Sequence, residues 1–226
     1  MTTFSYLTKD QSDQKVVEII TFSLSKLLRT QQQVVFAIPG GRSVSGIFKL
    51  LKKAVIPWDN IHIFMIDERI APLEDKESNF RLAKETFLDE LVKNGKIRQE
   101  NLHPFKVQEG VEKYQQELQK YGGKYDFILV SSGEDGHIGA LFSNHHSIKD
   151  PSPFFITMDD SPKPPPKRMT MSALLVKKAQ VAIILFYGEA KRTAYEAFQH
   201  QNVDVIHCPA KLVQKVPEYY VVMDLR

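Results

Sequence analysis

An aspartate and a histidine lie two residues apart in a glycine-rich segment that reads SSGEDGHIGALF (131–142). They are Asp135 and His137, and the segment directly follows the apolar run FILV. A histidine can accept a proton near neutral pH, and a nearby carboxylate raises its basicity and fixes which ring nitrogen carries the proton. The pattern therefore fits acid–base chemistry, with His137 as the base and Asp135 orienting it. The alternative is structural, an aspartate that caps a helix beside a surface histidine.

A second candidate segment reads PGGRS (39–43) and follows the apolar run VVFAI. Glycines permit a tight turn that points backbone N–H groups at an anion, and a following helix N-terminus adds a favourable dipole. The segment therefore indicates phosphate binding by Gly40, Gly41 and Ser43, with a plain tight turn as the alternative. It is not a Walker loop, a GxGxxG dinucleotide turn or a GxSxG hydrolase elbow. Arg42 either adds positive charge to the phosphate or points to solvent.

Charged residues in three further places complete the candidate site. Asp67 and Arg69 follow the apolar run IHIFMI, and Arg offers a planar fork to a phosphate or a developing oxyanion. Arg168 and Lys191 lie further along the chain and are expected to bring positive charge to the same rim. A solvated salt-bridge cluster and solvent-facing basic side chains are the alternatives.

We expect no metal site and no cofactor. His145 and His146 could join His137 around a metal, but their spacing matches no known ligand pattern and no cysteine or carboxylate lies between them. Cys208 is the only cysteine, so it cannot form an internal disulfide, which fits a reducing compartment. We interpret it as a small buried apolar residue.

Strand-like runs alternate with segments of helical periodicity along the whole chain. Several strands are continuous apolar runs, which predicts an α/β fold with a mostly parallel, doubly wound, Rossmann-like sheet covered by helices on both faces. In such a sheet, ligands bind beyond the carboxyl ends of the strands. The predicted strands are 34–38, 61–66, 125–132, 154–158, 179–188 and 219–223; the predicted helices are 11–29 (capped by Ser12 or Asp13), 43–53, one opening near Ser78-Asn79, 110–121 and 189–198.

The Pro-rich stretch DDSPKPPPKR (159–168) is interpreted as an ordered loop, with an interdomain linker or a PxxP ligand as alternatives. Strand-like runs flank it on both sides, so it does not divide the chain. We therefore expect a single domain over residues 1–226.

Composition favours a protein that acts on a small molecule. The 226 residues include 30 basic and 27 acidic ones, and the net charge of +3 is not clustered as in a nucleic-acid binder. There is no run of 18 apolar residues and no hydrophobic signal core at the N-terminus. We expect a soluble cytoplasmic protein with no nucleic-acid or membrane partner, either a monomer or a small homo-oligomer.

Taken together and in this order, these segments resemble the 6-phosphogluconolactonase family over nearly the whole chain. That family has Ser-Gly-Gly-Ser-Thr-Pro, then Asp-Glu-Arg with a downstream Ser-Asn, then Gly-Met-Gly-x-Asp-Gly-His-Thr-Ala-Ser-Leu-Phe, Pro-x-Arg-(Ile/Leu)-Thr and Gly-x-x-Lys. The matching segments here are PGGRSV (39–44), DER (67–69) with SN (78–79), SSGEDGHIGALF (131–142), PKRMT (166–170) and GEAK (188–191). Arg42 replaces a small hydroxyl residue, and Ser131-Ser132 replace Gly-Met.

The resemblance implies the sugar-phosphate isomerase type of fold and hydrolysis of 6-phospho-D-glucono-1,5-lactone to 6-phospho-D-gluconate in the oxidative pentose phosphate pathway. Under this resemblance His137 is the general base and later the proton donor to the ring oxygen, with Asp135 orienting it. Arg69 binds the phosphate or stabilises the oxyanion. The substrate- and phosphate-binding set is Gly40, Gly41, Arg42, Ser43, Asp67, Arg168 and Lys191.

Two rival functions are kept. Glucosamine-6-phosphate deaminase has a related Asp-Gly-His segment, and Ile138 is deaminase-like, but that enzyme typically has Asp-Glu-Tyr where this chain has Arg69. It also has a glutamate soon after its histidine, whereas no carboxylate lies between Gly136 and Lys149 here. A non-catalytic sugar-phosphate sensor is the other rival, and it usually carries an added interaction module.

Overall fold

The structure is a computed structural model that describes residues 2–6 and 8–225. Within these residues, ten strands form two sheets. The predicted domain 1–226 also includes Met1, Leu7 and Arg226, which lie outside the described residues. The strands are β1 (Thr2–Ser5), β2 (Val34–Ile38), β3 (Ile61–Met65), β4 (Asp67–Arg69), β5 (Leu102–His103), β6 (Phe127–Ser131), β7 (Phe155–Met158), β8 (Arg168–Met171), β9 (Val181–Phe186) and β10 (Glu218–Met223).

Seven strands form a parallel sheet in the order β1-β10-β9-β6-β2-β3-β5. The predicted α/β fold with a mostly parallel sheet is confirmed. The helices are α1 (Lys9–Leu27), α2 (Ser45–Leu51), α3 (Asn79–Ala83), α4 (Asp89–Lys93), α5 (Gly110–Gln119), α6 (Ala173–Lys177) and α7 (Arg192–Gln199). A π-helical stretch, Lys84–Leu88, joins α3 to α4, and short 3₁₀ turns precede α2 and α7.

Side chains of the central strands pack into two cores, one on each face of the sheet. In β2, Val35 and Ala37 join one core, whereas Phe36 and Ile38 join the other. Successive side chains of a strand point to opposite faces, so a strand covered on both sides must be apolar throughout. This is why the run VVFAI is continuous instead of alternating.

A second sheet of three antiparallel strands, in the order β4-β8-β7, was not predicted. The run 154–158 was expected in the main parallel sheet, but its strand β7 pairs with β8 instead. No strand was predicted directly after residues 61–66, yet β4 pairs with β8, with Asp67 opposite Thr170. Because these partners are about a hundred residues apart, no local pattern reveals the pairing.

The side of the main sheet to which the chain adds new strands changes between β2 and β6. From β2 the chain extends the sheet through β3 to β5, and it then returns to the other side of β2 to add β6, β9 and β10. The loops at the carboxyl ends of β2 and β6 therefore diverge and leave a crevice, the place where α/β sheets bind ligands.

Several boundaries differ from the predictions. Helix α1 begins at Lys9, and its cap is Thr8, whose side chain accepts the N–H of Gln11; Ser12 and Asp13 are buried inside the helix. The predicted helix start at Ser78 is confirmed, since Ser78 accepts the N–H of Arg81. In the described residues, no helix combines the length and the apolar character needed to cross a membrane.

Candidate active site

A cavity of about 310 Å³ opens at the carboxyl ends of the strands, where β2 and β6 diverge. It collects residues from the loops that follow β2, β3, β6 and β9, together with the second sheet and the Pro-rich loop. Its lining residues are Pro39, Gly40, Gly41, Ser43, Asp67, Arg69, Asn79, Ser131, Ser132, Gly133, His137, Gly139, Phe142, Lys163, Pro164, Arg168 and Lys191.

His137 and Asp135 form a hydrogen-bonded pair at the edge of this cavity. Nδ1 of His137 lies 2.5 Å from Oδ1 of Asp135, and within the described residues Nε2 makes no hydrogen bond. Burial alone raises the pKa of Asp135, but the hydrogen bond and charge of His137, together with the charge of Lys163, outweigh it and hold the pKa well below its usual range. The ionised carboxylate therefore keeps the proton on Nδ1, and Nε2 remains available as a base.

The segment that carries this pair is a turn and not a helix start, so the capping alternative is wrong. The N–H of Gly133 donates to the carbonyl of His137 at 2.8 Å, and the imidazole packs so close to Gly133 that a Cβ there would lie 2.0 Å from Nδ1. Gly136 has φ +79, and a Cβ on it would lie 2.9 Å from Sγ of Cys208. The prediction that Cys208 is a buried apolar residue is confirmed, since it packs under the turn.

Strand β4 separates its three charged residues by alternation. Asp67 and Arg69 line the cavity, whereas Glu68 points to the other side and is 1% exposed. Glu68 accepts the backbone N–H groups of Asn79 and Phe80, each at 2.7 Å. It thereby fixes the start of α3 against β4, a structural role that the sequence analysis did not assign.

Asn79 connects this unit to the glycine loop after β2. Its side-chain Nδ2 donates to the carbonyl of Asp67 at 2.9 Å, and the same side chain fills the space beside Gly40. A Cβ on Gly40 would lie 1.9 Å from Oδ1 of Asn79, so only glycine fits there. The last residue of β2, Ile38, accepts the N–H of Ile66, which directly precedes β4. The glycine segment that follows β2 therefore lies beside β4 and at the cavity.

The loop of residues 39–43 brings Gly40, Gly41 and Ser43 to the cavity, as predicted, but not Arg42. Arg42 begins a 3₁₀ turn and is exposed, which corresponds to the alternative that its side chain points to solvent. Gly41 has φ +90, a conformation that favours glycine and lets the chain turn into that 3₁₀ segment.

Four cationic side chains face the cavity: Arg69, Lys163, Arg168 and Lys191. Burial lowers the pKa of Arg168, and the charge of Arg69 lowers it further. Burial also lowers the pKa of Lys191, and Lys163 acts in the same direction, against Glu134 and Asp135. Like charges that are partly desolvated repel one another, so an anion in the cavity would relieve an unfavourable arrangement.

Asp67 and Arg69 lie close to Arg168, which is opposite Arg69 in the pairing of β4 with β8. Among the described residues, the buried Nε of Arg69 has no hydrogen-bond partner, while its Nη1 donates to the carbonyl of Glu77. Burial raises the pKa of Asp67, against the charges of Arg69, Arg168 and His137. The unpaired Nε of Arg69 is a donor that a bound oxygen could satisfy.

Lys163 is the one of these four cationic residues that the sequence analysis did not assign to the site. It lies in the Pro-rich stretch 159–168, which is the ordered loop that was predicted and which folds back over the site. Arg168 anchors this loop, since its Nε and Nη2 donate to the carbonyls of Pro165 and Pro164 at 2.9 and 2.8 Å. Nζ of Lys163 lies 3.5 Å from Oδ1 of Asp135, so the loop places its lysine beside the His137–Asp135 pair.

The chain matches the sequence model of the family described as glucosamine-6-phosphate isomerases/6-phosphogluconolactonase over residues 7–221. It is 30% identical over 194 residues to the 6-phosphogluconolactonase of Borreliella burgdorferi, covering 84% of this chain and 83% of that protein. It is 31% identical over 193 residues to that of Thermotoga maritima, covering 84% and 85%.

Solved structures agree with these relatives. The crystal structure of 6-phosphogluconolactonase from Thermotoga maritima superposes with a TM-score of 0.83 and 25% identity, covering 98% of this chain and 99% of that one. A monomeric glucosamine-6-phosphate deaminase superposes with a TM-score of 0.79 at 17% identity, a level that shows a shared fold alone.

Proposed function

The chain belongs to the glucosamine-6-phosphate isomerase/6-phosphogluconolactonase family, and from this premise we propose that it hydrolyses 6-phospho-D-glucono-1,5-lactone to 6-phospho-D-gluconate, a step of the oxidative pentose phosphate pathway. The observation that carries the proposal is the pairing of Nδ1 of His137 with Asp135, which leaves Nε2 unpaired at a cavity with four cationic side chains. Lactone hydrolysis needs a base for water, a donor for an oxyanion and a site for the phosphate.

The reaction begins when Nε2 of His137 takes a proton from a water molecule as its oxygen attacks the lactone carbonyl. Asp135 stabilises the imidazolium that forms, because it is ionised and hydrogen-bonded to Nδ1. The new C–O bond converts the carbonyl oxygen into an oxyanion. Arg69, whose buried Nε has no partner, donates to that oxyanion.

The tetrahedral intermediate then collapses, and the bond between the carbonyl carbon and the ring oxygen breaks. The ring oxygen leaves as a hydroxyl after taking the proton from Nε2 of His137, which returns the imidazole to its neutral state. The immediate product is the open-chain carboxylic acid, which keeps the second proton of the water molecule and then releases it to solvent to give the carboxylate. No step requires a metal or a cofactor.

Phosphate binding is assigned to Arg168, Lys191 and the loop of Gly40, Gly41 and Ser43, and Lys163 joins them because it lies beside both Asp135 and Lys191. The dianionic phosphate offsets the repulsion among these cations. Its binding energy orients the distant lactone carbonyl against His137. Asp67 is placed to accept a hydrogen bond from a sugar hydroxyl.

The test is a direct assay with freshly generated 6-phosphogluconolactone, corrected for spontaneous hydrolysis. We expect turnover well above the uncatalysed rate, and no ammonia release from glucosamine 6-phosphate under the same conditions. Deamination of glucosamine 6-phosphate without lactone hydrolysis would identify the deaminase instead. Tight binding of 6-phosphogluconate without turnover of either substrate would identify a sensor.

A further inference from the structure

A second cluster of chemically active side chains lies behind Phe142, outside the lining of the cavity. It consists of His145 and His146, whose ring centroids are 4.1 Å apart, and Asp160 from the Pro-rich loop. Nε2 of His146 lies 3.0 Å from Oδ2 of Asp160, and Nε2 of His145 lies 3.3 Å from Oδ1. One carboxylate thus faces two imidazoles.

The three ligand atoms are spaced as a transition-metal ion would require. One ligand atom from each residue lies within 4.8 Å of the others. In a tetrahedral zinc site with bonds of about 2.0–2.1 Å, ligand atoms are separated by about 3.3 Å. The two imidazole–carboxylate separations already match this value. The third separation, between the imidazoles, can shorten by rotation of the His146 side chain, which is 61% exposed.

His145 is the fixed member of the cluster. Among the described residues its buried Nε2 has no hydrogen-bond partner, whereas its Nδ1 accepts the backbone N–H of Ser147 at 3.3 Å and lies 3.0 Å from Oγ of Ser147. A histidine that binds a metal through one nitrogen needs an acceptor for the proton on the other. An ion bound at Nε2 would therefore shift His145 to the tautomer with the proton on Nδ1, with Oγ of Ser147 as its acceptor in place of the present hydrogen bond from the N–H of Ser147.

Against the sequence-based expectation of no metal site, we propose that His145, His146 and Asp160 bind a divalent transition-metal ion, because the carboxylate comes from the distant Pro-rich loop and not from between the histidines. The bound ion would link the Pro-rich loop to the segment that follows His137, and Zn²⁺ is the ion used to test it. Two imidazoles and one carboxylate suit zinc better than magnesium or calcium, which prefer oxygen ligands throughout. Two ligands are exposed, so an ion reaches the site from solvent, and water completes the coordination.

The ion would act on the active site only through the loop. Asp160 lies three residues before Lys163, which lines the cavity, whereas neither His145, His146 nor Asp160 does. Phe142 packs between the two sites, with its ring centroid 5.0 Å from that of His137 and 6.0 Å from that of His145. The proposal is independent of the lactonase reaction, since no chemical step runs through the ion.

The experiment titrates Zn²⁺ into the full chain, freed of metal by chelation and dialysis, in competition with a chromophoric zinc chelator. We expect one Zn²⁺ per chain, and at least about tenfold weaker binding in His146→Gln and in Asp160→Asn, each of which removes one ligand. Both residues are exposed, so neither variant should lose the fold. His207→Gln is the matched control, because His207 pairs with Asp204 at 2.7 Å in an exposed pair that has no third ligand among the described residues.

His137→Gln separates this cluster from the His137–Asp135 pair, which also offers a nitrogen and a carboxylate. Zinc affinity equal to that of the unaltered protein in His137→Gln supports the proposal. The proposal is overturned if His137→Gln loses zinc, if His146→Gln and Asp160→Asn bind as the unaltered protein does, or if binding stays far below one ion per chain.

Amide hydrogen exchange tests the second half of the proposal. Saturating Zn²⁺ should slow exchange in peptides that cover residues 159–168 in the unaltered protein by at least about threefold, and it should have no such effect in Asp160→Asn. Stoichiometric zinc binding with unchanged exchange in that loop would overturn the claim that the ion ties the loop down.

Discussion

At the scale of single residues, the candidate site depends on which nitrogen of His137 carries the proton. Asp135 holds Nδ1 at 2.5 Å, and the imidazole packs over Gly133, so the ring has one orientation and presents Nε2. A base held in this way loses little entropy when it takes the proton of a water molecule. The proposed base therefore needs no residue beyond this pair to hold it in place.

Replacing His137 by Gln should lower kcat for the lactone about a hundredfold to ten-thousandfold, the usual contribution of a general base. The affinity for 6-phosphogluconate should stay within about threefold, because the cations to which we assign phosphate binding are untouched. Steady-state kinetics and isothermal titration measure the two quantities.

His207→Gln is the control for this prediction, since it removes another histidine bonded to an aspartate, but outside the cavity. It should leave kcat unaltered. Undiminished turnover in His137→Gln would reject the base assignment, and a loss of affinity without a loss of kcat would move His137 to a binding role.

Replacing Lys163 by Ala should raise KM about five- to tenfold and leave kcat within about threefold. Lys163 is 43% exposed and near Lys191, so it attracts the phosphate of substrate and transition state alike, and solvent screening keeps the effect modest. Lys167→Ala is the matched control, because Lys167 belongs to the same loop, is exposed and does not line the cavity. A loss in kcat at constant KM would place Lys163 at the reacting carbonyl.

At the scale of elements, the sequence predicts what is locally encoded and misses what depends on distant partners. The bounds of β2 were predicted as observed, because a strand buried on both faces is a continuous apolar run. Strands β4 and β8 were missed, since each is short and their pairing joins segments about a hundred residues apart. Lys163 was missed for the same reason, as nothing in the Pro-rich stretch shows that it folds back over the cavity.

The candidate site was more predictable than the second sheet, and for a physical reason. A parallel sheet brings the carboxyl ends of its strands to one edge, so residues that follow different strands can be expected to meet there. His137, Arg69 and Lys191 do meet at one cavity. Arg42 does not, because strand order alone cannot tell which residues of a turn face inward.

The edge of the main sheet formed by β3 and β5 carries a buried histidine pair. Nδ1 of His62 lies 2.9 Å from Nε2 of His103, and Nδ1 of His103 lies 3.3 Å from Oε1 of Glu117. One proton can lie between the two rings, so the folded protein resists a second one. Burial lowers the pKa of His103 to about 4, His62 adds to this effect and Glu117 opposes it.

The contribution of His103 to the free energy of unfolding should therefore rise between pH 4 and pH 6.5. In that window the unfolded chain binds a proton on His103, whose unfolded pKa is near 6.5, and the folded protein excludes it. Below pH 4 both states bind the proton, and above pH 6.5 neither does. The expected change is about 1–3 kcal/mol, measured by urea unfolding across the range.

His103→Phe should flatten this pH dependence, because it keeps the ring stacked on Phe64 at 4.2 Å between centroids but cannot be protonated. His200→Phe, at an exposed position, is the control and should retain the slope. A slope of the opposite sign, or an unchanged slope in His103→Phe, would contradict the assignment.

At the scale of the whole molecule, the main sheet separates two cores that each help to position the site. One core holds α1 and α2 beneath the glycine loop after β2, and the other holds α5, α6, α7 and the second sheet, which carries Asp67, Arg69 and Arg168. Every central strand contributes side chains to both cores. We propose that the chain is a single domain. If either core opened, the side chains on one face of the shared strands would be exposed to water.

The chain provides one natural reporter for each core. Trp58, the only tryptophan, is 1% exposed in the core that contains α1, and Cys208, the only cysteine, is fully buried in the core that contains α7. In urea, the midpoint from Trp58 fluorescence should coincide with the midpoint from labelling of Cys208 by a thiol reagent in short pulses, as expected for cooperative unfolding. Cys208→Ala, followed by fluorescence alone, controls for destabilisation by the label itself. Midpoints that differ by more than the error of the fits would mean that one face opens first. The two faces would then be separate folding units, and the cavity would lose its second sheet before the parallel sheet unfolds.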